Sequence, residues 1–221
     1  MNVSQAIKQR HSTRAFTQQA VNIEVIKNLI NTAKHAPSGV NMQPWQVAVV
    51  QGKTKQTLSE GMINAFRNKN TESMDYHYYP TEWVQPYKSR RVETGKKLYE
   101  ALDIQREDKE KRLAQWEANY RAFDAPIMLL FFIDESLETG SYLDYGMFLQ
   151  NIMLLAEEAG LATCPQGALG EFPTLIKETL KIDKNKKLIG GMAIGYKDTN
   201  HPVNQYRTTR IELDEFCSFY D

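Results

Sequence analysis

His35-Ala36-Pro37-Ser38-Gly39-Val40-Asn41-Met42-Gln43-Pro44-Trp45 follows a helix-like segment and runs straight into Gln46-Val47-Ala48-Val49-Val50, a β-branched run that reads as a buried strand. Pro37 and Pro44 stop any helix, and Gly39 permits a backbone that other residues resist. Ser38, Asn41 and Gln43 place polar groups and free backbone amides along a loop that opens onto a strand. Such a loop suits the edge of a flat, polar, aromatic ligand. Alone, it reads first as an ordinary helix-to-strand connection. Its weight comes from what lies on either side.

With 221 residues and 42% of them hydrophobic, the chain can bury a sizeable core, and nothing in it reads as a linker. Lys+Arg and Asp+Glu are both 27, so no basic face for nucleic acid is expected. The longest wholly apolar stretch, Ala125 to Ile133, has nine residues with a proline inside, too short to span a bilayer. The first residues contain no apolar signal core, so the expected location is the cytoplasm, where Cys164 and Cys217 would stay thiols.

Ser4 is the expected N-cap of a short helix over Gln5 to Gln9, which runs into Arg10-His11-Ser12-Thr13-Arg14. Two arginines and two hydroxyls within five residues are what a phosphate needs, although a solvated polar turn has the same composition. Asn22 caps an amphipathic helix with Ile23, Ile26, Ile30 and Ala33 on its inner stripe, and a further helix is expected over about 54–66. Residues 69–124 read as an insertion packed on one domain spanning 1–221, with charged helices over about 89–103 and 106–122. Tyr76, Tyr78, Tyr79, Trp83 and Tyr87 crowd this insertion, either plugging it onto the core or roofing a ligand.

Pro126 to Ile133 is the second expected strand, and Tyr142 to Glu158 a helix with apolar residues nearly all round, closed by Gly160. A helix of that kind must be covered on every face, which suggests a share in a second subunit. Leu161-Ala162-Thr163 reads as a short strand that breaks at Cys164-Pro165-Gln166-Gly167, and Phe172 to Leu180 as a helix. Lys187 to Gly195 is the fourth strand, with Gly190-Gly191 marking close backbone approach or a bulge. In the tail, Ile211, Leu213 and Phe216 are expected to dock.

No G-x-G-x-x-G follows a strand, and no P-loop or G-x-S-x-G elbow occurs. The four histidines stand alone and no C-x-x-C exists, so no metal site is expected. What remains is phosphate-suited chemistry at both ends of the chain: Arg10, Ser12 and Arg14, with Arg207 and Arg210. Together with the Pro37–Gln43 and Pro165–Gly167 loops, these make a flavin mononucleotide site without a Rossmann fingerprint.

The segment Arg10–Arg14, the loop Ala36–Trp45, the run Gly160-Leu161-Ala162-Thr163-Cys164-Pro165-Gln166-Gly167 and Gly195-Tyr196 leading to Asn204–Arg210 resemble the FMN-dependent nitroreductase family. The long insertion before Phe123-Asp124-Ala125-Pro126-Ile127 is similar to the larger, nitrobenzoate-reductase-like members. The resemblance implies an α+β fold: a central, mostly antiparallel sheet flanked by helices, in an intertwined homodimer with FMN at the interface. It implies that Arg10, His11, Ser12 and Arg14 hold the phosphate and ribityl end, with Arg210 or Arg207 completing that site. Pro37, Ser38, Gly39, Asn41 and Gln43 would contact the ring from the partner subunit. Pro165, Gln166 and Gly167 would lie beside the ring's reactive nitrogen. Many members carry a Glu in this last loop where this chain has only Gln166 and Gly167, so no role for that carboxylate transfers.

The implied activity is a ping-pong oxidoreduction in which NADH or NADPH reduces non-covalent FMN and a nitroaromatic, quinone or related electrophile reoxidises it. No catalytic protein residue is expected, because the flavin carries the chemistry. The competing readings are an FMN storage or sensor protein, and a thiol enzyme using Cys164.

Overall fold

Four strands form one antiparallel sheet in the order β1–β2–β4–β3: β1 (Gln46–Gln51), β2 (Ile127–Asp134), β3 (Ala162–Gln166) and β4 (Lys186–Gly195). The computed structural model describes residues 1–221. Helices α1 (Val3–Gln9) and α2 (Ile23–Ala33) precede the sheet in the chain, and α3 (Gly52–Arg67) follows β1 directly. Helices α4 (Tyr87–Ala101) and α5 (Lys109–Tyr120) fill the long connection to β2. The long helix α6 (Thr139–Glu158) leads to β3, and α7 (Pro173–Leu180) leads to β4.

The side chains of β2 alternate between two cores. Met128, Leu130 and Phe132 pack with Leu58 and Met62 of α3, Tyr120 of α5 and Ile176 of α7. Ile127, Leu129, Phe131 and Ile133 pack with Ile26, Leu29 and Ala33 of α2 and Tyr145, Phe148 and Ile152 of α6. Because helices cover both faces, β2 is apolar throughout rather than alternating, which explains the continuous run in the sequence.

The register between β2 and β4 slips at Phe131/Phe132, leaving Ile189 as the extra residue. Gly190 beside it has φ +132°, a conformation open only to glycine, and a Cβ there would lie 2.9 Å from Gln166 O. A Cβ on Gly191 would lie 2.7 Å from Leu129 O, so the expected close approach is present at both glycines.

Several local expectations are corrected. Asn2, not Ser4, caps α1, with a reciprocal capping box in which Gln5 N donates to Asn2 Oδ1 at 2.9 Å. The buried stripe of α2 is Ile26, Leu29 and Ala33, while Ile23 and Ile30 are only half-buried. Strand β3 does not break at Cys164 but continues through Pro165 to Gln166. It is an edge strand, where a missing N–H on the open side costs no ladder bond. In the tail, the Ile211, Leu213 and Phe216 side chains do not dock as expected but are exposed.

The segment 69–124 is fastened to the rest of the domain by Tyr120, Ala122 and Phe123, which enter the core, and by a set of polar contacts. The Glu72 carboxylate accepts Thr174 N (2.6 Å) and Leu175 N (3.2 Å), capping the otherwise open N-terminus of α7. Asp75 pairs with Lys177 at 3.0 Å and accepts Leu188 N at 2.7 Å, and the Tyr76 hydroxyl donates to Ile189 O at 2.8 Å. The guanidinium of Arg67 grips the buried Glu117 carboxylate with two bonds of 2.6 and 2.8 Å, which holds that carboxyl below its ordinary range.

Candidate functional site

The two ends of the chain meet beside β3. Backbone bonds begin the assembly: Thr13 N donates to Thr163 O at 3.0 Å, and Ser12 forms a parallel bridge with Thr163. Asn204 then locks the far end in place. Its side chain is fully buried, accepts Arg14 N at 2.9 Å, and donates to Ala15 O and Asp198 O, both at 2.8 Å. Residues separated by 190 positions thereby share one wall.

Between them opens a cavity of about 670 Å³. Arg10, His11, Ser12, Arg14, Arg207 and Arg210 all line it, as expected from the sequence. Lys8, Tyr206, Thr208 and Thr209 join them. The lining has five cationic side chains, Lys8 and the four arginines, and no carboxylate. In a chain of zero formal net charge, that segregation makes a focused positive potential. Arg10 Nε is buried without a hydrogen-bond partner. Arg14 Nη1 bonds Ser12 O and Tyr206 Oη, both at 3.3 Å, so its head is fixed toward the cavity rim. A terminal phosphate fits this donor set.

His11 is placed at the cavity but is not a cation there. Burial, followed by the charges of Arg207 and Lys197, pushes its pKa down to about 4, so the ring is neutral at pH 7. Its nitrogens face the protein, Nδ1 toward Gln9 O at 3.3 Å and Nε2 toward Thr13 Oγ1 at 3.5 Å. His11 therefore shapes the wall rather than supplying a charged contact.

From Thr163, which bridges Ser12 at the cavity wall, β3 leads to Gln166 and Gly167, about 10–13 Å further along the strand. That separation suits a chain running from a phosphate to a ring. Gln166 is buried: its amide donates to Asn119 O at 3.0 Å, while its Oε1 has no partner. A Cβ on Gly167 would lie 3.4 Å from the Tyr78 ring. Among the aromatics of the insertion, Tyr76 is thus tied into the core, whereas Tyr78 leans over the Gly167 backbone, with Tyr79 edge-on to it and Trp83 tilted against Tyr79.

The Pro37–Gln43 loop is not part of this cavity. Gly39 N donates to Asp144 Oδ2 at 3.0 Å near the start of α6, whereas Lys8, His11 and Arg207 sit beside Glu157 at its end. Along the helix axis these points are about 20 Å apart. Within one chain, therefore, Pro37, Ser38, Gly39, Asn41 and Gln43 do not meet the arginines. Val40, Asn41 and Gln43 hold φ of +46°, +59° and +50°, so the left-handed backbone lies after Gly39 rather than at it. Ser38 Oγ accepts Gln43 N at 3.0 Å and braces the turn, which presents Val40 at 94% exposure.

Cys164 lies beneath Ser12 and Arg14, and burial pushes its thiol up to about 11. A protonated, buried sulfur is no nucleophile, which removes the thiol-enzyme reading. Cys164→Ser is expected to retain at least about half of any NADH- or NADPH-driven activity, and native protein to resist thiol alkylation at this position. Loss of turnover on that change with unaltered melting temperature would contradict it.

Sequence reasoning missed Lys8 and Tyr206. Lys8 carried a signal, a cation on the last turn of α1 two residues before Arg10; Tyr206 carried none beyond its place between Asn204 and Arg207.

Residues 7–196 match the Nitroreductase family model. A chloronitrobenzene nitroreductase of Comamonas testosteroni is 35% identical over 219 residues, covering 98% of this chain and 96% of that protein. The crystal structure of an FMN and NADPH-dependent nitroreductase, NfnB from Sphigopyxis sp. strain HMH, superposes with a TM-score of 0.96 at 35% identity, covering 100% of both chains. An FMN-dependent NfnB from Mycobacterium smegmatis, solved in complex with NADPH, gives 0.94 at 30% identity over 99% of this chain and 97% of that one. The α+β sheet, the two cores and the arginine cavity are thus features of a chain that belongs to the nitroreductase family.

Proposed function

We propose that the protein is an FMN-dependent, NADPH-oxidising reductase of nitroaromatic compounds, the activities named for its relatives at 30–35% identity. The observation that carries this reading is the carboxylate-free cavity with the unpartnered Arg10 Nε. Arg10, Ser12, Arg14, Arg207 and Arg210 hold the phosphate, and His11 packs as a neutral wall. When bound, FMN supplies the redox chemistry, taking electrons from the nicotinamide donor and releasing them to the oxidant. Gln166 and Gly167 present backbone at the ring's edge, the rigid β3–β4 contact at Gly190 fixing their position. Tyr78 shields that edge from water. Quinones are a second class of oxidant that such a site accepts.

The remaining contacts come from a second copy. Pro37, Ser38, Gly39, Asn41 and Gln43 of one protomer reach the cavity of the other in a homodimer. Support for this lies in what the single chain leaves uncovered: Val40, Leu143 at 71% and Met147 on α6, with Phe219 and Tyr220 of the tail. Light scattering at low micromolar concentration is expected to give twice 25.4 kDa, with an interface above about 2,000 Å². A monomer mass with full activity would contradict the shared site. The reading keeps residues 69–124 as an insertion within one domain, and the protein in the cytoplasm, where its donor is. No helix is long and apolar enough to cross a membrane.

The test is steady-state kinetics with NADPH and a nitroaromatic. Parallel double-reciprocal lines are expected, since donor and oxidant use the same face in turn. Stable flavin binding without NADPH oxidation would favour the storage or sensor alternative.

A further inference from the structure

A second groove, of about 400 Å³, opens directly beside the arginine cavity and shares Thr94, Thr208, Thr209 and Arg210 with it. One wall is a single face of α4, where Arg90, Glu93, Thr94 and Lys97 follow at i, i+3, i+4 and i+7. The other wall is the tail, with Arg210 and Glu215. Neither Arg90 nor Arg210 has a carboxylate partner; Arg210 Nη1 bonds only the oxygens of Thr208 and Thr209. The Arg90 guanidinium lies 5.9 Å from the centre of the Tyr87 ring, and Lys97 pairs with Glu93 at 2.7 Å.

This is a mixed set, unlike the all-cationic cavity next to it. Cations answer a phosphate, while Glu93 and Glu215 offer acceptors for hydroxyls or an exocyclic amine. The plane of Arg90 in the groove, with the exposed Tyr87 ring just outside it, offers a stacking surface for a flat base. A phosphorylated nucleoside has all three features, and a bare anion has only the first.

We propose that the groove between α4 and the tail seats the adenosine 2′-phosphate of the nicotinamide donor and thereby makes the protein choose NADPH over NADH. This rests on the oxidoreductase reading for its biological meaning but not for its binding test. Arg90 and Lys97 face the 2′-phosphate, with Arg210 shared between this groove and the flavin phosphate. The sequence reading left the choice of donor open, because the cations involved come from an insertion whose face becomes apparent only when α4 lies against the tail.

Arg90→Ala and Lys97→Ala are each expected to raise KM for NADPH roughly 5- to 20-fold and to change KM for NADH by less than about 2-fold. FMN content should not change. Calorimetry with adenosine 2′,5′-bisphosphate on the FMN-loaded protein needs no turnover. Binding at least roughly tenfold tighter than that of 5′-AMP, and weakened by both substitutions, supports the groove. Equal losses with the two donors, no loss with either, or bisphosphate binding indifferent to both changes would overturn it. Bisphosphate binding of the expected kind in a protein that oxidises neither donor leaves the groove standing and sinks the oxidoreductase reading instead.

Discussion

Arg10→Ala is expected to raise the dissociation constant for FMN roughly 30- to 1,000-fold, a loss of about 2–4 kcal/mol. The size follows from where the side chain ends. Arg10 Nε is buried with no partner in the chain, so its desolvation is offset only when an anion arrives. Removing the guanidinium also leaves the phosphate short of a planar, two-pronged donor, which a lysine does not restore in full. The backbone role is separate: Arg10 N caps α1 by donating to Ala6 O at 3.0 Å, and alanine keeps that bond. The apo-protein's melting temperature should therefore change little while affinity falls. An unchanged dissociation constant would place Arg10 outside the phosphate site.

The other large effect is structural. Gly190→Ala is expected to lower folding stability by about 3 kcal/mol, through a left-handed backbone that alanine resists and a Cβ driven against Gln166 O. For a chain of this length that is a drop of roughly 6–12 °C in Tm. The same clash pushes the Gln166–Gly167 peptide, so flavin affinity should fall with stability in the surviving folded protein. A variant with wild-type Tm would mean that β4 and β3 are not packed as tightly at this point as the 2.9 Å approach requires.

Much of the fold was legible because local and tertiary demands agreed. The apolar run of β2, the amphipathic α2 with its Asn22 cap and the Gly160 stop of α6 each carried one meaning. The misses came where two signals competed. Asn2 and Ser4 are both fit to cap a helix, and the N-x-x-Q spacing of the capping box decides for Asn2. Pro165 argues against a strand except at an edge, and edge position is a property of the whole sheet. Ile30 and Leu29 are neighbours on α2, and only contact with α6 decides that Leu29 turns inward.

For the site, residue types were legible and distances were not. Arg10–Arg14 and Arg207–Arg210 announced a phosphate from both ends of the chain, but only the buried Asn204 clamp makes them one cavity. The Pro37–Gln43 loop read as reaching that site from a second copy, and within one chain it lies at the other end of α6. The α4 face was hidden for a further reason: its charges have the periodicity of any solvated helix.

Mass spectrometry of the small molecule released on denaturing the purified protein tests the central claim most directly. One FMN per chain is the predicted result, since the arginine cavity ends in a site for a single terminal phosphate. FAD, or a protein that takes up no flavin when reconstituted with FMN, would contradict it.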